Sequence, residues 1–272
     1  MIHFFCALPC EAEPLLRHYD LQQLKQFPLF RIYQSPEHEY SLCITGIGRI
    51  NAAAAVSYHF ASINPAASDI WLNIGVGGHQ QLALGEACLA NKVSDVDRKN
   101  CWYPQLVFTP PCKVGPLQTL DHPSTEYEDC LYDMEAAGFY NMAIRTGTAE
   151  LVHCLKIISD NEQHPSIDKN KQRVTDLIRE RLDVIDALLA ELKPLSDELD
   201  TINSAPEALP VFLENWRFTQ SQKIILSRLL RQWQLRLPGQ DAFQQLQDNA
   251  SPDTVLQELG RTLNETAFHI YD

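Results

Sequence analysis

Two short β-rich runs, each ending in a cluster of glycines, constrain the fold of this chain more than any other feature. Tyr40 to Thr45 leads into Gly46-Ile47-Gly48 and then the alanine-rich Asn51 to Phe60, which reads as strand, tight turn and helix. Ile70 to Ile74 repeats the opening of that pattern and ends in Gly75-Val76-Gly77-Gly78, read as a second turn whose missing side chains let the backbone approach a ligand closely. Around these, Ile2 to Leu8 reads as a strand buried on both faces and Glu11 to Tyr19 as a helix. Glu86 to Val93 and Cys130 to Tyr132 read as further strands, and Leu151 to Ile158 as a long, mostly apolar one leading into Ser159-Asp160-Asn161. Strands separated by helical segments predict an α/β domain with a largely parallel sheet. Ligands of such sheets sit beyond the carboxyl ends of the strands.

The second half changes character. After Gln172, Val174, Leu177, Ile178, Leu182, Ile185, Leu188 and Leu189 recur at largely three- and four-residue intervals, which predicts a helix closing the core domain. Leu195 to Pro210 is rich in Ser, Asp, Asn and Pro and reads as a linker, so the boundary is placed between residues 1–194 and 195–272. Thr219 to Arg236 and Ser251 to Ala267 read as two more helices, the latter opened by a capping serine and a proline. Lys223, Arg228, Arg231 and Arg236 make the first of these basic, which reads as a solvated face.

Composition removes several classes of function. The 272 residues are 45% hydrophobic with a formal charge of −13, which argues for a folded chain and against an extended grip on a phosphate backbone. No apolar run approaches the roughly 20 residues of a membrane-spanning helix, and the opening residues lack a signal-peptide pattern, so a cytoplasmic protein is expected. The eight cysteines show no CxxC pair and no histidine partners at metal-ligand spacing, and read as reduced thiols with no metal site.

Three carboxylates fall where chemistry is expected. Glu11 follows the first strand, Glu135 lies among small residues in Asp133-Met134-Glu135-Ala136-Ala137, and Asp160 ends a central strand. Each alone is also explained blandly, as a helix-start acid or a turn cap.

Taken together and in order, Ala7-Leu8-Pro9-Cys10-Glu11, Thr45-Gly46-Ile47-Gly48-Arg49-Ile50-Asn51-Ala52-Ala53, Asn73-Ile74-Gly75-Val76-Gly77-Gly78, Asp133-Met134-Glu135-Ala136-Ala137 and Ile158-Ser159-Asp160-Asn161 resemble the nucleoside phosphorylase and nucleosidase superfamily, in its 5′-methylthioadenosine/S-adenosylhomocysteine nucleosidase branch. The resemblance spans roughly residues 1 to 190 and leaves the tail uncovered. It implies a three-layer α/β domain with a mostly parallel central sheet, followed by a C-terminal helical extension. It implies cleavage of the bond between a purine and the anomeric carbon of ribose. Asp160 would be general acid to the base, oriented by Ser159, and Glu11 would activate water. Glu135 would accept hydrogen bonds from the ribose hydroxyls and stabilise the cationic transition state, Met134 would pack on the sugar, and backbone at Val76 and Gly77 would approach the ligand. No metal or organic cofactor is needed, and relatives suggest a homodimer.

Departures from the resemblance define the alternatives. Leu8 to Cys10 offers no arginine, and Asn73 and Val76 replace the arginine and hydroxyl with which phosphorylases hold phosphate; water is therefore the expected co-substrate. Val76 also replaces the serine usual in nucleosidases, and Lys156 stands where they often carry arginine, a point charge instead of a planar fork. Thr119-Leu120-Asp121-His122-Pro123 replaces an aromatic base-stacking segment, with His122 read as a solvent-facing residue. A phosphorylase, or a nucleoside-binding protein that has lost catalysis, are the competing readings.

Overall fold

The computed structural model describes residues 1–124, 128–165, 170–203 and 205–266. The chain divides into two compact units, Met1–Asp200 and Thr201–Asp272. In the first, the described strands are β1 (Ile2–Cys6), β2 (Gln22–Gln23), β3 (Arg31–Gln34), β4 (Tyr40–Ile44), β5 (Ile70–Gly78), β6 (Ala87–Asp95), β7 (Asn100–Trp102), β8 (Lys113–Thr119), β9 (Leu131–Asp133) and β10 (Val152–Asp160). The helices are α1 (Pro9–His18), α2 (Arg49–Ile63), α3 (Ala136–Ala143), α4 (Lys171–Arg179) and α5 (Leu182–Asn203).

The sheet is mixed, which corrects the expectation of a mostly parallel one. β1, β4, β5 and β10 form parallel pairs, as do β6, β8 and β9, but β10 meets β6, β5 meets β9, and β3 meets β4 in antiparallel fashion. Because β5 pairs with both β10 and β9, the circuit β5–β10–β6–β8–β9 closes on itself as a barrel, with β1, β4, β3 and β2 extending from it as an open wing. The strands that the sequence reading missed are β2, β3, β7 and β8, whose exposed or polar residues carry no buried-strand signature.

Alternation along the strands fills both faces. Phe4, Leu42, Leu72 and Leu155 pack with Leu15, Ile178, Ile185, Leu188 and Leu192 of α1, α4 and α5. Their neighbours Phe5, Cys43, Trp71 and Cys154 pack with Val56, Phe139 and Tyr140 of α2 and α3. Helices therefore cover the sheet on both sides. The single helix expected from residue 174 is two, breaking between Arg179 and Leu182, because one apolar stripe continues across a two-residue break that periodicity does not register. The expected linker from Leu195 is helical through Asn203. Leu195 and Leu199 keep the stripe on the core and Ser196 Oγ donates to the Ser68 carbonyl at 2.7 Å, so packing overrides Pro194 and the polar composition.

The second unit contains α6 (Leu209–Asn215), α7 (Gln220–Arg236), α8 (Ala242–Leu246) and α9 (Pro252–Glu265). Phe212, Leu226, Leu230, Trp233, Val255, Leu259 and Leu263 make its core. Thr219 and Ser251 cap α7 and α9 through their side chains. Among the described residues, no helix is long and apolar enough to cross a membrane.

A polar cluster lies inside the first unit. Ser41 Oγ is 2.6 Å from His3 Nδ1 and 3.0 Å from His59 Nε2, and His3 Nε2 is 3.1 Å from Asp69. Burial lowers the pKa of both histidines, His59 well below its ordinary value. The unfolded chain therefore binds protons here that the native state refuses, and this contribution to stability is lost as pH falls below about 6.5. The raised carboxylates of Glu11 and Glu135 act in the opposite sense, so a difference measurement isolates the histidines. Denaturant unfolding at pH 7 and pH 5.5 should show a smaller histidine-dependent loss in His59→Gln than in wild type, by up to about 1.4 kcal/mol per pH unit.

Candidate active site

The carboxyl ends of β1, β5 and β10 meet the end of β9 around a hollow of about 180 Å³. Its walls include Glu11, Val76, Gly77, Met134, Glu135, Ser159 and Asp160, together with Ala7, Leu8, Ile47, Tyr132 and Pro123. All seven residues singled out from the sequence thus converge on one place. The neighbouring groove, about 610 Å³, shares Ala7, Leu8 and Ile47 and adds Leu29, Phe30 and Ile44.

Glu11 sits in the first turn of α1 and is buried. Leu8 N–H donates to its Oε2 at 2.9 Å and Val76 N–H to its Oε1 at 3.0 Å. Burial raises its pKa, opposed by these amide bonds and by the charge of Lys156. Glu135 caps α3, and Gly48 N–H donates to its Oε1 at 2.9 Å. Burial, with the adjacent Asp133 charge, pushes it up to about 7. Asp160 ends β10 and is half-buried, with Ser159 Oγ donating to its Oδ1 at 2.6 Å. Ile158 pairs with Gly77 and Asp160 with Gly78, so Ser159 is the extra residue of a bulge, a device that re-aims side chains at a strand end.

The two glycine clusters differ, and one corrects the expectation of a turn. Gly46 and Gly48 have φ of 80° and 99° and form a true turn. Gly75, Gly77 and Gly78 lie in β5, in extended pairing with β10. A Cβ on Gly75 would stand 2.8 Å from Glu11 Oε1, and one on Gly77 would stand 2.8 Å from the Tyr132 carbonyl oxygen. These glycines make room for the protein's own carboxylate and for β9.

Beneath the hollow lies a buried ion pair. Lys156 Nζ of β10 donates to Asp133 Oδ2 at 2.8 Å and to Asn73 Oδ1 at 2.7 Å. Asp133 also accepts from Thr119 Oγ1 and from Ala136 N–H, both at 2.7 Å. Burial alone would pull the ammonium's pKa down, but the Asp133 and Glu135 charges outweigh it and hold the pKa above the ordinary lysine value. A lysine inside an otherwise apolar strand is the sequence signal for such a buried acid partner. Tyr132 and Pro123 carry no such signal. His122 is exposed and its neighbour Pro123 takes the wall position. Among the described residues, no group of three His, Cys, Asp or Glu side chains is placed to hold a metal ion.

No protein-family model matches the sequence, and no curated protein matches it. Solved structures do match. A 5′-methylthioadenosine nucleosidase from Arabidopsis thaliana in apo form matches with a TM-score of 0.58 at 18% identity, covering 70% of this chain and 94% of its own. An MTA/SAH nucleosidase matches at 0.56 and 17%, covering 71% and 97%. The enzyme from Neisseria meningitidis in complex with methylthio-immucillin-A matches at 0.55 and 16%, covering 68% and 98%. The chain has the nucleoside phosphorylase/nucleosidase fold and, within it, resembles the MTA/SAH nucleosidases.

Breaking the buried pair from one side leaves an uncompensated charge. Lys156→Met should destabilise the protein by about 3–5 kcal/mol, and adding Asp133→Asn should recover part of that loss, as read by denaturant unfolding.

Proposed function

We propose that this chain hydrolyses the N-ribosidic bond of a purine nucleoside of the adenosine type. The observation that carries the reading is the convergence of Glu11, Glu135 and Asp160 on one hollow. Cleavage of that bond develops positive charge on the sugar and negative charge on the departing base. Asp160, held by Ser159, donates a proton to the imidazole ring of the purine as the carbon–nitrogen bond breaks. Glu11 takes a proton from the water whose oxygen bonds to the anomeric carbon. Glu135 accepts hydrogen bonds from the ribose hydroxyls and stabilises the oxocarbenium-like transition state. Atoms balance: one water is consumed, and base and free ribose are released.

Electrostatics favours water over phosphate. Among the described residues lining the hollow there are four carboxylates, those of Glu11, Asp133, Glu135 and Asp160, and no lysine or arginine. Lys156 lies below them with its charge directed at Asp133 and Asn73. An incoming phosphate dianion would meet repulsion where a phosphorylase needs cationic donors. The groove beyond Leu8 and Ile47, lined by the apolar Leu29, Phe30 and Ile44 and by the polar Arg31, Thr45 and Asn51, suits an extended substituent at the 5′ position, such as a thioether.

Adenine release from a panel of 5′-thioether adenosines should proceed in phosphate-free buffer, and Glu11→Gln and Asp160→Asn should each lower kcat by about 10²–10⁴ while leaving the unfolding midpoint unchanged. Because Glu135 titrates near 7 and Glu11 above its ordinary range, both are protonated on the acid side. The acid limb of the kcat/KM profile should therefore rise through about pH 7. Release that requires phosphate would make the chain a phosphorylase, and binding without release would make it a nucleoside-binding protein.

A further inference from the structure

Arg49 stands at the first position of α2, where the helix dipole disfavours a cation. It is nonetheless only 10% exposed, and its partners explain it. Nη1 meets Asp95 at 2.6 Å and Asp97 at 2.9 Å, while Nη2 meets Asp121 at 2.6 Å. Asp95 ends β6, and Asp121 lies just past β8 in the connection that delivers Pro123 to the wall of the hollow. On its other side, Arg49 follows Gly48, whose N–H holds Glu135. Its carbonyl oxygen would be 1.9 Å from a Cβ on Gly138, so α2 and α3 meet here without a side chain between them.

We infer that Arg49 is a positioning residue: its guanidinium latches the 119–123 connection, and with it the Pro123 wall, to the turn that fixes Glu135. Arg49 does not line the hollow. A planar fork suits this task, since its two nitrogens reach carboxylates on separate connections at once, which a point charge on a lysine does not reproduce. Leu120 N–H donates to the Asp133 carbonyl at 2.8 Å and so reports whether the connection is in place.

The kinetic part of the test rests on the hydrolase reading, but the exchange and binding parts do not. Arg49→Met and Asp121→Asn are compared with wild type, with Lys25→Ala, an exposed cation away from Asp95 and Asp121, as a surface control. Asp121 is 55% exposed, so Asp121→Asn tests the latch even if Arg49→Met fails to fold. The latch predicts at least tenfold faster hydrogen exchange at the Leu120 amide in both variants, with the unfolding midpoint of Asp121→Asn unchanged. It predicts at least fivefold weaker adenine binding, a matching rise in KM with kcat within threefold, and a double variant no worse than Arg49→Met alone. Arg49→Lys should restore only part of the loss, and Lys25→Ala should match wild type. Unchanged Leu120 exchange and adenine affinity in Asp121→Asn would overturn the latch, even with turnover intact. If wild type releases no adenine while Leu120 exchange responds as stated, the hydrolase reading fails and the latch stands.

Discussion

A lysine ammonium sealed from water must be answered by charge from its neighbours, and the answer to Lys156 organises the site. The ammonium is on β10, its carboxylate partner Asp133 ends β9, and its amide partner Asn73 is on β5. These are the three strands that meet where the barrel closes. Desolvating both ions costs more than a hydrophobic pair of similar size would, so the pair specifies geometry at the expense of stability. Asn73 also donates to the Phe5 carbonyl at 3.1 Å, which carries the same constraint to β1 and so to the segment that delivers Glu11.

Above that pair, three carboxylates share one hollow under different restraints. Glu11 is held by two backbone amides, Glu135 by one amide at a glycine turn, and Asp160 by the hydroxyl of the bulged Ser159. Burial raises the pKa of both glutamates, and the charge of the lysine below opposes that rise. The backbone shapes this arrangement through the amides that hold the two glutamates and through the glycines at 75 and 77. Gly75 and Gly77 leave room for the Glu11 carboxylate and the Tyr132 carbonyl, and Gly48 supplies the positive φ of the turn whose amide holds Glu135.

The parts legible from sequence were those with local periodic or chemical signatures. The buried runs of β1, β5 and β10, the helices α1 and α2, and the capping residue Ser251 all announce themselves through burial pattern or side-chain chemistry. The seven candidate site residues were chosen through motifs in order, and all seven line one hollow. Barrel closure was not legible, because it depends on β8, whose residues alternate too weakly to mark a strand, and on the pairing of β9 with β5 far along the chain. The role of the 75–78 glycines was misread for a related reason. Gly75 makes room for a carboxylate 64 residues earlier in the chain, a neighbour no local pattern names. Tyr132 and Pro123 reach the wall through tertiary packing alone.

The central claim is that the hollow receives a nucleoside with its base toward Asp160, its ribose hydroxyls toward Glu135 and its anomeric carbon facing Glu11. A crystal structure of Asp160→Asn soaked with 5′-methylthioadenosine tests this most directly. The account predicts density for the intact nucleoside in the hollow, with the imidazole edge of the purine beside residue 160 and both ribose hydroxyls in hydrogen-bonding range of Glu135. A nucleoside seated elsewhere on the protein, or a hollow that holds only water at saturating ligand, would contradict it.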